Sequence, residues 1–301
     1  MKILITGGAG FIGSHLAGRL LARNSGAITV LDNFKRGALG IFAAIRKDIH
    51  LIQADVRDSA AVMAAVRDAD VVFHLAAQSN VLGSVRDEGY CFSTNAAGTR
   101  NVLEAAAATE IERIVFTSSR EVYGDPDAIP VHESAPLKPK NPYGESKRDA
   151  ENHCALFLSR KLPVSVLRLS NVYGPGDRDR VIPIFIERAM AGEPLIVNGG
   201  RQLIDFIWIE SVVDALVRTG LGPYAPGPIN IGSGKGTTVI DLAHRILSAT
   251  GSRSTILLQE ANQVEVVRFV ADVTRSRQLL GMESIEDPLS CLSRMVVDRL
   301  A

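Results

Sequence analysis

The sequence predicts an α/β fold, a doubly wound parallel sheet followed by a smaller C-terminal region. Three observations predict it. Short apolar runs alternate with longer helical patterns through the first half of the chain, a glycine-rich turn joins the first run to the first helix, and the alternation stops at a Gly/Pro-rich stretch beginning at Tyr173.

The apolar runs Lys2–Thr6, Ala27–Leu31, His50–Ala54, Val71–Leu75, Arg113–Thr117 and Val164–Leu169 read as buried strands. Helical patterns lie between them at Ser14–Arg23, Ser59–Val66, Thr94–Ala108 and Ser146–Leu158. Strands joined through helices run parallel with right-handed crossovers, and ligands then sit at the strands' carboxyl ends. Tyr173-Gly174-Pro175-Gly176-Asp177 reads as a loop. Beyond it lie a helix at Ile182–Ala191, a turn at Glu193-Pro194, the run Leu203–Ile209 and a strand at Ile229–Gly232. These features predict a large domain of residues 1–170 plus about 204–232, and a smaller one of about 171–203 plus 233–301. No internal repeat or low-complexity segment interrupts the pattern.

The chain has 301 residues, of which 46% are hydrophobic and 22% charged, enough to bury a sizeable core. Its 33 basic residues balance its 33 acidic ones, so no global field favours nucleic acid or an anionic membrane, and an anionic ligand must be met by local charge. Cys91, Cys154 and Cys291 are few, odd in number and widely spaced, which excludes a disulfide framework and a zinc pattern and fits a reducing compartment. The apolar run at the N-terminus is too short for a signal peptide, and no stretch approaches the roughly 20 apolar residues of a membrane span. A soluble cytoplasmic protein is the expectation.

Gly7-Gly8-Ala9-Gly10-Phe11-Ile12-Gly13 follows the first strand and opens the first helix. In this setting Gly7 makes the tight turn, Gly10 lets backbone approach a pyrophosphate, and Gly13 lets helix pack close on strand, the arrangement of a Rossmann dinucleotide site. The helix N-terminus points its free N–H groups at the anion. Asp32 ends the second strand, 19 residues after Gly13, where a carboxylate binds the adenosine ribose hydroxyls and repels a 2′-phosphate. NAD is therefore expected rather than NADP, although Lys35 and Arg36 follow closely. A glycine turn without a cofactor is the bland alternative.

Tyr143 and Lys147 are four residues apart on a helix that Asn141 and Pro142 are suited to start. A tyrosine of ordinary pKa near 10 is a poor base at neutral pH, but an adjacent ammonium and an oxidised nicotinamide ring both favour the phenolate. Alone, the Tyr-x-x-x-Lys spacing is common by chance. Upstream, Phe116–Gly124 sits at a strand end, where a hydroxyl of Ser118 or Ser119 is placed either to pass a proton or to cap backbone.

With these residues the chain resembles the extended short-chain dehydrogenase/reductase family, and within it the nucleotide-sugar epimerases and dehydratases typified by UDP-glucose 4-epimerase. The resemblance runs through Thr6–Gly13, Asp32-Asn33, Asp55-Val56, His74–Gln78, Asn95–Thr99, Ser118–Gly124, Tyr143–Lys147 and Asn171–Pro175. It implies that Tyr143 removes a sugar hydroxyl proton, Ser119 shares it, and Lys147 grips the nicotinamide ribose and lowers the tyrosine pKa. It implies further that NAD lies on Gly7, Gly10, Phe11, Ile12, Asp32 and Asn33. Asp55 and Val56 would then be near the adenine, Leu75, Ala76 and Ala77 along the cofactor, and Asn95 in support. The substrate would meet Ser79, Ser119, Arg120, Glu121 and Asn171. In such epimerases hydride leaves the sugar carbon for NAD, the keto-sugar turns over, and hydride returns on the other face. A homodimer joined by a four-helix bundle of Thr94–Ala108 and Ser146–Leu158 is also implied.

The chain departs from the family at Ile204 and Asn262, where arginines on the nucleotide diphosphate are expected. Arg178, Arg180, Arg201 and Arg268 are the candidate replacements. The leading expectation is an epimerase acting at C4 of a UDP- or dTDP-hexose or uronate. A 4,6-dehydratase or uronate decarboxylase is the alternative, because Glu121 stands where those enzymes carry a catalytic glutamate. Arg120 stands against dehydration, since the dehydratases have an acidic residue there and a guanidinium cannot act as an acid at neutral pH. A non-catalytic NAD-binding module is the remaining reading, and it is opposed by the presence of both Tyr143 and Lys147.

Overall fold

The structure, a computed structural model, describes residues 1–36, 39–200, 202–260 and 266–300. The chain runs β1 (Lys2–Thr6), α1 (Phe11–Ala22), β2 (Ala27–Asp32), α2 (Leu39–Ile45), β3 (His50–Gln53), α3 (Ser59–Arg67) and β4 (Val71–His74). Short helices α4 (Val81–Arg86) and α5 (Glu88–Phe92) lead through a π-helical turn at Ser93–Ala97 into α6 (Gly98–Ala107). Then come β5 (Arg113–Ser119), α7 (Pro142–Ser159), β6 (Val164–Leu169), β7 (Asn171–Tyr173), α8 (Val181–Met190) and β8 (Leu195–Asn198). The remainder is β9 (Leu203–Trp208), α9 (Ile209–Leu221), β10 (Gly227–Ile231), β11 (Gly236–Thr238), α10 (Val239–Thr250), β12 (Ile256–Gln259), α11 (Thr274–Leu280) and α12 (Leu292–Leu300).

The six strands read from the sequence, with β10 as a seventh, form one parallel sheet in the order β10-β6-β5-β4-β1-β2-β3. Its strand order reverses between β1 and β4, which opens a crevice at their carboxyl ends. Every residue of β4 and β6 is buried, as a sheet covered on both faces requires. On one face α1 and α9 pack through Leu16, Leu20, Val212 and Leu216. On the other, α3, α6 and α7 pack through Val62, Val102, Leu103, Ala150 and Phe157.

A second core gathers Tyr173, Ile186, Leu195, Phe206, Leu242 and Ile246 between α8, α10 and two small sheets, β11-β9-β7 and β12-β8. The segment expected to rejoin the large domain divides. Strand β9 pairs with β7 and β11, whereas α9 and β10 lie on the main sheet. Asp205 on β9 fastens the junction: fully buried, it accepts hydrogen bonds from Ser233 N (2.7 Å), Ser233 Oγ (2.6 Å), Gly234 N (3.1 Å) and Ala271 N (3.0 Å).

Helix α1 starts at Phe11, directly on the glycine turn that opens it, three residues before the apolar pattern at Ser14. Helix α7 starts at Pro142, as Asn141 and Pro142 predict: the Asn141 side chain accepts from Gly144 N (2.9 Å) and the fixed φ of Pro142 suits the first turn. One helix differs from the sequence reading. The helix expected over Thr94–Ala108 is broken by the π turn, where Gly98 N donates to Ser93 O, five residues back. Among the described residues no helix is long and apolar enough to cross a membrane, and no group of three or more His, Cys, Asp or Glu side chains is arranged to hold a metal ion. The three cysteines are unpaired, as their spacing predicts.

Candidate active site

The carboxyl ends of β1, β2, β4 and β5 open into a cavity of about 1380 Å³ whose far wall comes from the second core. At its floor Gly7 has φ +73°, and a Cβ there would lie 2.6 Å from Ala76 N, so only glycine fits the turn. Gly10 caps α1 without any side chain, leaving the first-turn N–H groups to face the cavity beside Phe11 and Ile12. Asp32 is buried at the end of β2, where its Oδ2 accepts from Ala9 N (3.0 Å) and its Oδ1 from Phe34 N (2.8 Å). Burial raises its pKa, and those two N–H groups oppose the rise. A diphosphate on the bare helix N-terminus and ribose hydroxyls on the Asp32 carboxylate fit this cradle.

Asn33, Val56, Leu75, Ala76 and Ala77 continue the same wall, with Ser79 beyond them. Asp55 does not line the cavity. Arg57 grips it through Nε and a terminal nitrogen, both at 2.9 Å, and Asn33 Nδ2 donates to it at 2.8 Å. The Arg57 hydrogen bonds hold its pKa down at about 2. Lys35 and Arg36, the two cations that cast doubt on the choice of cofactor, line the cavity and each has a partner there. Lys35 Nζ sits 3.1 Å from the Tyr90 ring centroid, and Arg36 pairs with Asp179 at 3.6 Å. Tyr90, with Arg57 4.8 Å from its ring, is a cavity residue that no motif marked.

Ser119, Tyr143 and Lys147 converge where β5 ends against the first turns of α7. The Ser119 hydroxyl accepts from Glu121 N at 3.2 Å, which caps the following turn, and it lies close enough to the Tyr143 phenol to favour its ionised form. Burial pushes the Tyr143 phenol up to about 12, against the pull of the Ser119 hydrogen bond and the Arg180 charge. Lys147 Nζ donates to Thr117 O at 2.8 Å, and burial brings its pKa down to about 8. The Tyr143 backbone N–H donates to the buried Ser84 Oγ of α4 at 3.1 Å, a tie across the cavity wall that sequence spacing did not reveal.

Ser118, the other hydroxyl at this strand end, donates to Glu151 Oε1 at 2.5 Å, and Glu151 is held in turn by Arg168. Asn95 also lies behind the wall. Its Oδ1 accepts from Gln78 N (2.8 Å) and its Nδ2 donates to Ser146 Oγ (2.9 Å), bracing the β4 loop on α7. His74 is buried between Thr6 Oγ1 (2.7 Å) and Thr99 Oγ1 (2.9 Å), and desolvation lowers its pKa to about 3, which makes it a neutral structural imidazole.

Arg120 and Glu121 line the cavity next to Ser119. Glu121 Oε1 pairs with Arg120 at 3.0 Å, and its Oε2 accepts from Asn141 Nδ2 at 2.8 Å. Asn171 carries a buried Oδ1 without a hydrogen-bond partner, as an atom awaiting a ligand would. Arg178 and Arg180 lie in the wall, and Arg180 donates to Val172 O at 3.2 Å with its guanidinium 5.9 Å from the Phe11 ring. Ile204 lines the second-core side with Phe185 and Ile196, and Arg188 stands beside them as a cation the sequence reading overlooked. Arg268 is exposed outside the cavity, since its neighbours Val266 and Phe269 take the inward positions. Arg201 and Asn262 fall outside the described residues.

Residues 3–232 match the model of the NAD dependent epimerase/dehydratase family. A putative UDP-glucose 4-epimerase from Methanocaldococcus jannaschii is 35% identical over 285 residues, 92% of each chain. A solved UDP-glucose 4-epimerase from Thermotoga maritima, with UDP-glucose, superposes with a TM-score of 0.92 at 29% identity, covering 100% of this chain and 99% of that one. A solved dTDP-glucose 4,6-dehydratase from Streptomyces venezuelae, with NAD bound, gives 0.94 at 28% identity, covering 100% of this chain and 97% of that one.

Proposed function

The chain belongs to the NAD-dependent epimerase/dehydratase family, and on that premise we propose that it is a nucleotide-sugar 4-epimerase acting on a UDP- or dTDP-hexose or hexuronate. The observation that carries this reading is the convergence of Ser119, Tyr143 and Lys147 over the same cavity as the bare N-terminus of α1 and Asp32. The α1 N-terminus holds the NAD diphosphate, Asp32 the adenosine ribose, and Lys147 the nicotinamide ribose. NAD supplies a reversible two-electron oxidation of the sugar carbon.

The chain's own part is proton management. Tyr143 takes the C4 hydroxyl proton and Ser119 shares it. With the phenol at about 12, reaching the phenolate near pH 7 requires about 7 kcal/mol of differential stabilisation. The Arg180 charge favours the phenolate, and in a site this buried the Lys147 ammonium and an oxidised nicotinamide ring would act in the same direction.

A dehydratase is the second reading, favoured by the position of Glu121 beside Ser119 in the cavity. Against it, both Glu121 oxygens are engaged, by Arg120 and by Asn141. That leaves Tyr143 as the proton carrier and favours epimerisation. A homodimer through α6 and α7 is also proposed. Most of their apolar faces are spent on the chain's own sheet, and Leu156 is the large hydrophobic left exposed on α7.

The test is turnover of UDP- and dTDP-hexoses and hexuronates read by NMR. A C4 epimer formed with no net change in NAD supports the reading. A 6-deoxy-4-keto or decarboxylated product from the unmodified chain would replace it.

A further inference from the structure

Epimerisation through a 4-keto sugar creates a hazard that general carbonyl chemistry makes plain. The ketone acidifies the proton on the neighbouring C5, and the C6 hydroxyl is then β to the carbonyl and able to leave. A free carboxylate close to the keto sugar would drain it by elimination. Glu121 is a carboxylate in that place, two residues after Ser119 and lining the same cavity.

Its surroundings deny it that role. The side chains of Arg120 and Glu121 are 11% and 7% exposed, and Arg120 reaches Glu121 Oε1 at 3.0 Å. Asn141, which also caps the helix bearing Tyr143, donates to Oε2 at 2.8 Å. The Glu121 N–H is anchored on Ser119 Oγ, so the turn carrying the carboxylate is fixed. On its other side the Arg120 guanidinium lies 6.0 Å from the Phe269 ring. A carboxylate filled by a permanent cation and an amide is a poor acceptor of a further proton.

Resting on the epimerase reading above, we propose that Arg120 determines reaction specificity: by occupying Glu121 it keeps that carboxylate out of proton transfer at C5 and so confines the keto sugar to epimerisation. The suppressed step balances without any oxidant or reductant. Glu121 would take the C5 proton, the C5–H electron pair would form the C5–C6 double bond, and the C6–O bond would break. The departing hydroxide would recover the proton from Glu121 and leave as water. Without Arg120, Glu121 Oε1 loses its partner and is free to accept the C5 proton.

The experiment uses the NAD-loaded protein in D2O with UDP-glucose and dTDP-glucose, reading deuterium at C5 by NMR and sugar lighter by one water by mass spectrometry. Arg120→Met keeps the stem and removes the charge. It is expected to raise C5 exchange or dehydration at least about tenfold over the unmodified chain, while Arg120→Lys stays at the unmodified level. Adding Glu121→Gln to Arg120→Met is expected to return the signal to background. Arg120→Gln, neutral but still a donor, serves if the methionine variant fails to fold. A folded, NAD-loaded neutral variant that epimerises without added C5 chemistry overturns the proposal alone. So does a rise that survives Glu121→Gln. An unmodified chain that dehydrates these sugars, or ignores them, overturns the epimerase reading and the proposal with it.

Discussion

Tyr143 and Lys147 show what a sequence can and cannot say about single residues. Their spacing, and the Asn141-Pro142 start of their helix, are local facts and were legible. Burial is not local: it sets the phenol near 12 and the ammonium near 8, and only the fold brings the Arg180 charge within reach of the phenol. Removing only the phenol oxygen in Tyr143→Phe is expected to lower kcat by about 10²–10⁴-fold, the usual contribution of a positioned acid–base group. NAD should stay bound, as its absorbance in the purified variant will show, and near-native kcat would exclude Tyr143 as the base. For Lys147 the sign is opposite. Its folded pKa lies below the ordinary 10.5, so between about 8 and 10.5 the unfolded chain binds more protons and stability rises with pH. At pH 7 the buried charge costs the cofactor-free protein about 3 kcal/mol. Lys147→Met should therefore stabilise the cofactor-free chain by about 1–3 kcal/mol in urea at pH 7 while abolishing turnover. A less stable variant would show that the hydrogen bond to Thr117 O outweighs the desolvation.

At the scale of elements, the strands of the main sheet were legible because each is an unbroken apolar run between turns, and a sheet covered on both faces allows little else. The runs that misled were those of the second core. Leu203–Trp208 has the same composition as a main-sheet strand, yet it pairs with β7 and β11, and only long-range contact decides between those partners. Helices α4 and α5, of six and five residues, are too short to show a helical period, although α4 carries the Ser84 tie to Tyr143. The β1–α1 turn is the element whose failure is easiest to predict. Gly7→Ala places a methyl group 2.6 Å from Ala76 N at a φ of +73°. Both the turn and the β4 end must move, and NAD affinity measured by calorimetry should fall at least about tenfold, or 1.4 kcal/mol. Unchanged affinity would show that the turn does not form the cofactor cradle.

For the whole molecule, the cavity is assembled from two bodies, with Ser119 contributed by the main sheet, Tyr143 by the helix α7 packed on it, and Phe185 and Ile204 by the second core. The first half of the site was readable from motifs, because dinucleotide and proton chemistry fix residue types at fixed spacings. The second half was not, since the wall that Phe185, Arg188 and Ile204 form has no obligatory spacing, and Arg188 went unmarked for that reason. Assembly beyond one chain is a further level. If α6 and α7 pair with their copies, Leu156, which is 46% exposed, is buried on association. Leu156→Glu should then shift the protein from dimer to monomer in light scattering at micromolar concentration. An unmodified chain already monomeric there would refute the pairing.

The π turn at Ser93–Ala97 has a consequence for how far the chain can be shortened. Such a turn carries one residue more than regular α-helical bonding needs. The Thr99 hydroxyl takes the Asn95 carbonyl at 2.5 Å, and the Asn95 side chain braces the β4 loop on α7. Deleting one residue would restore regular backbone bonding, but it would swing one flank by about 100° relative to the other. Either α5 would lose its seat on α7 or α6 its seat on the sheet. The irregularity is a length constraint: a one-residue cut there dismantles the wall that the turn supports.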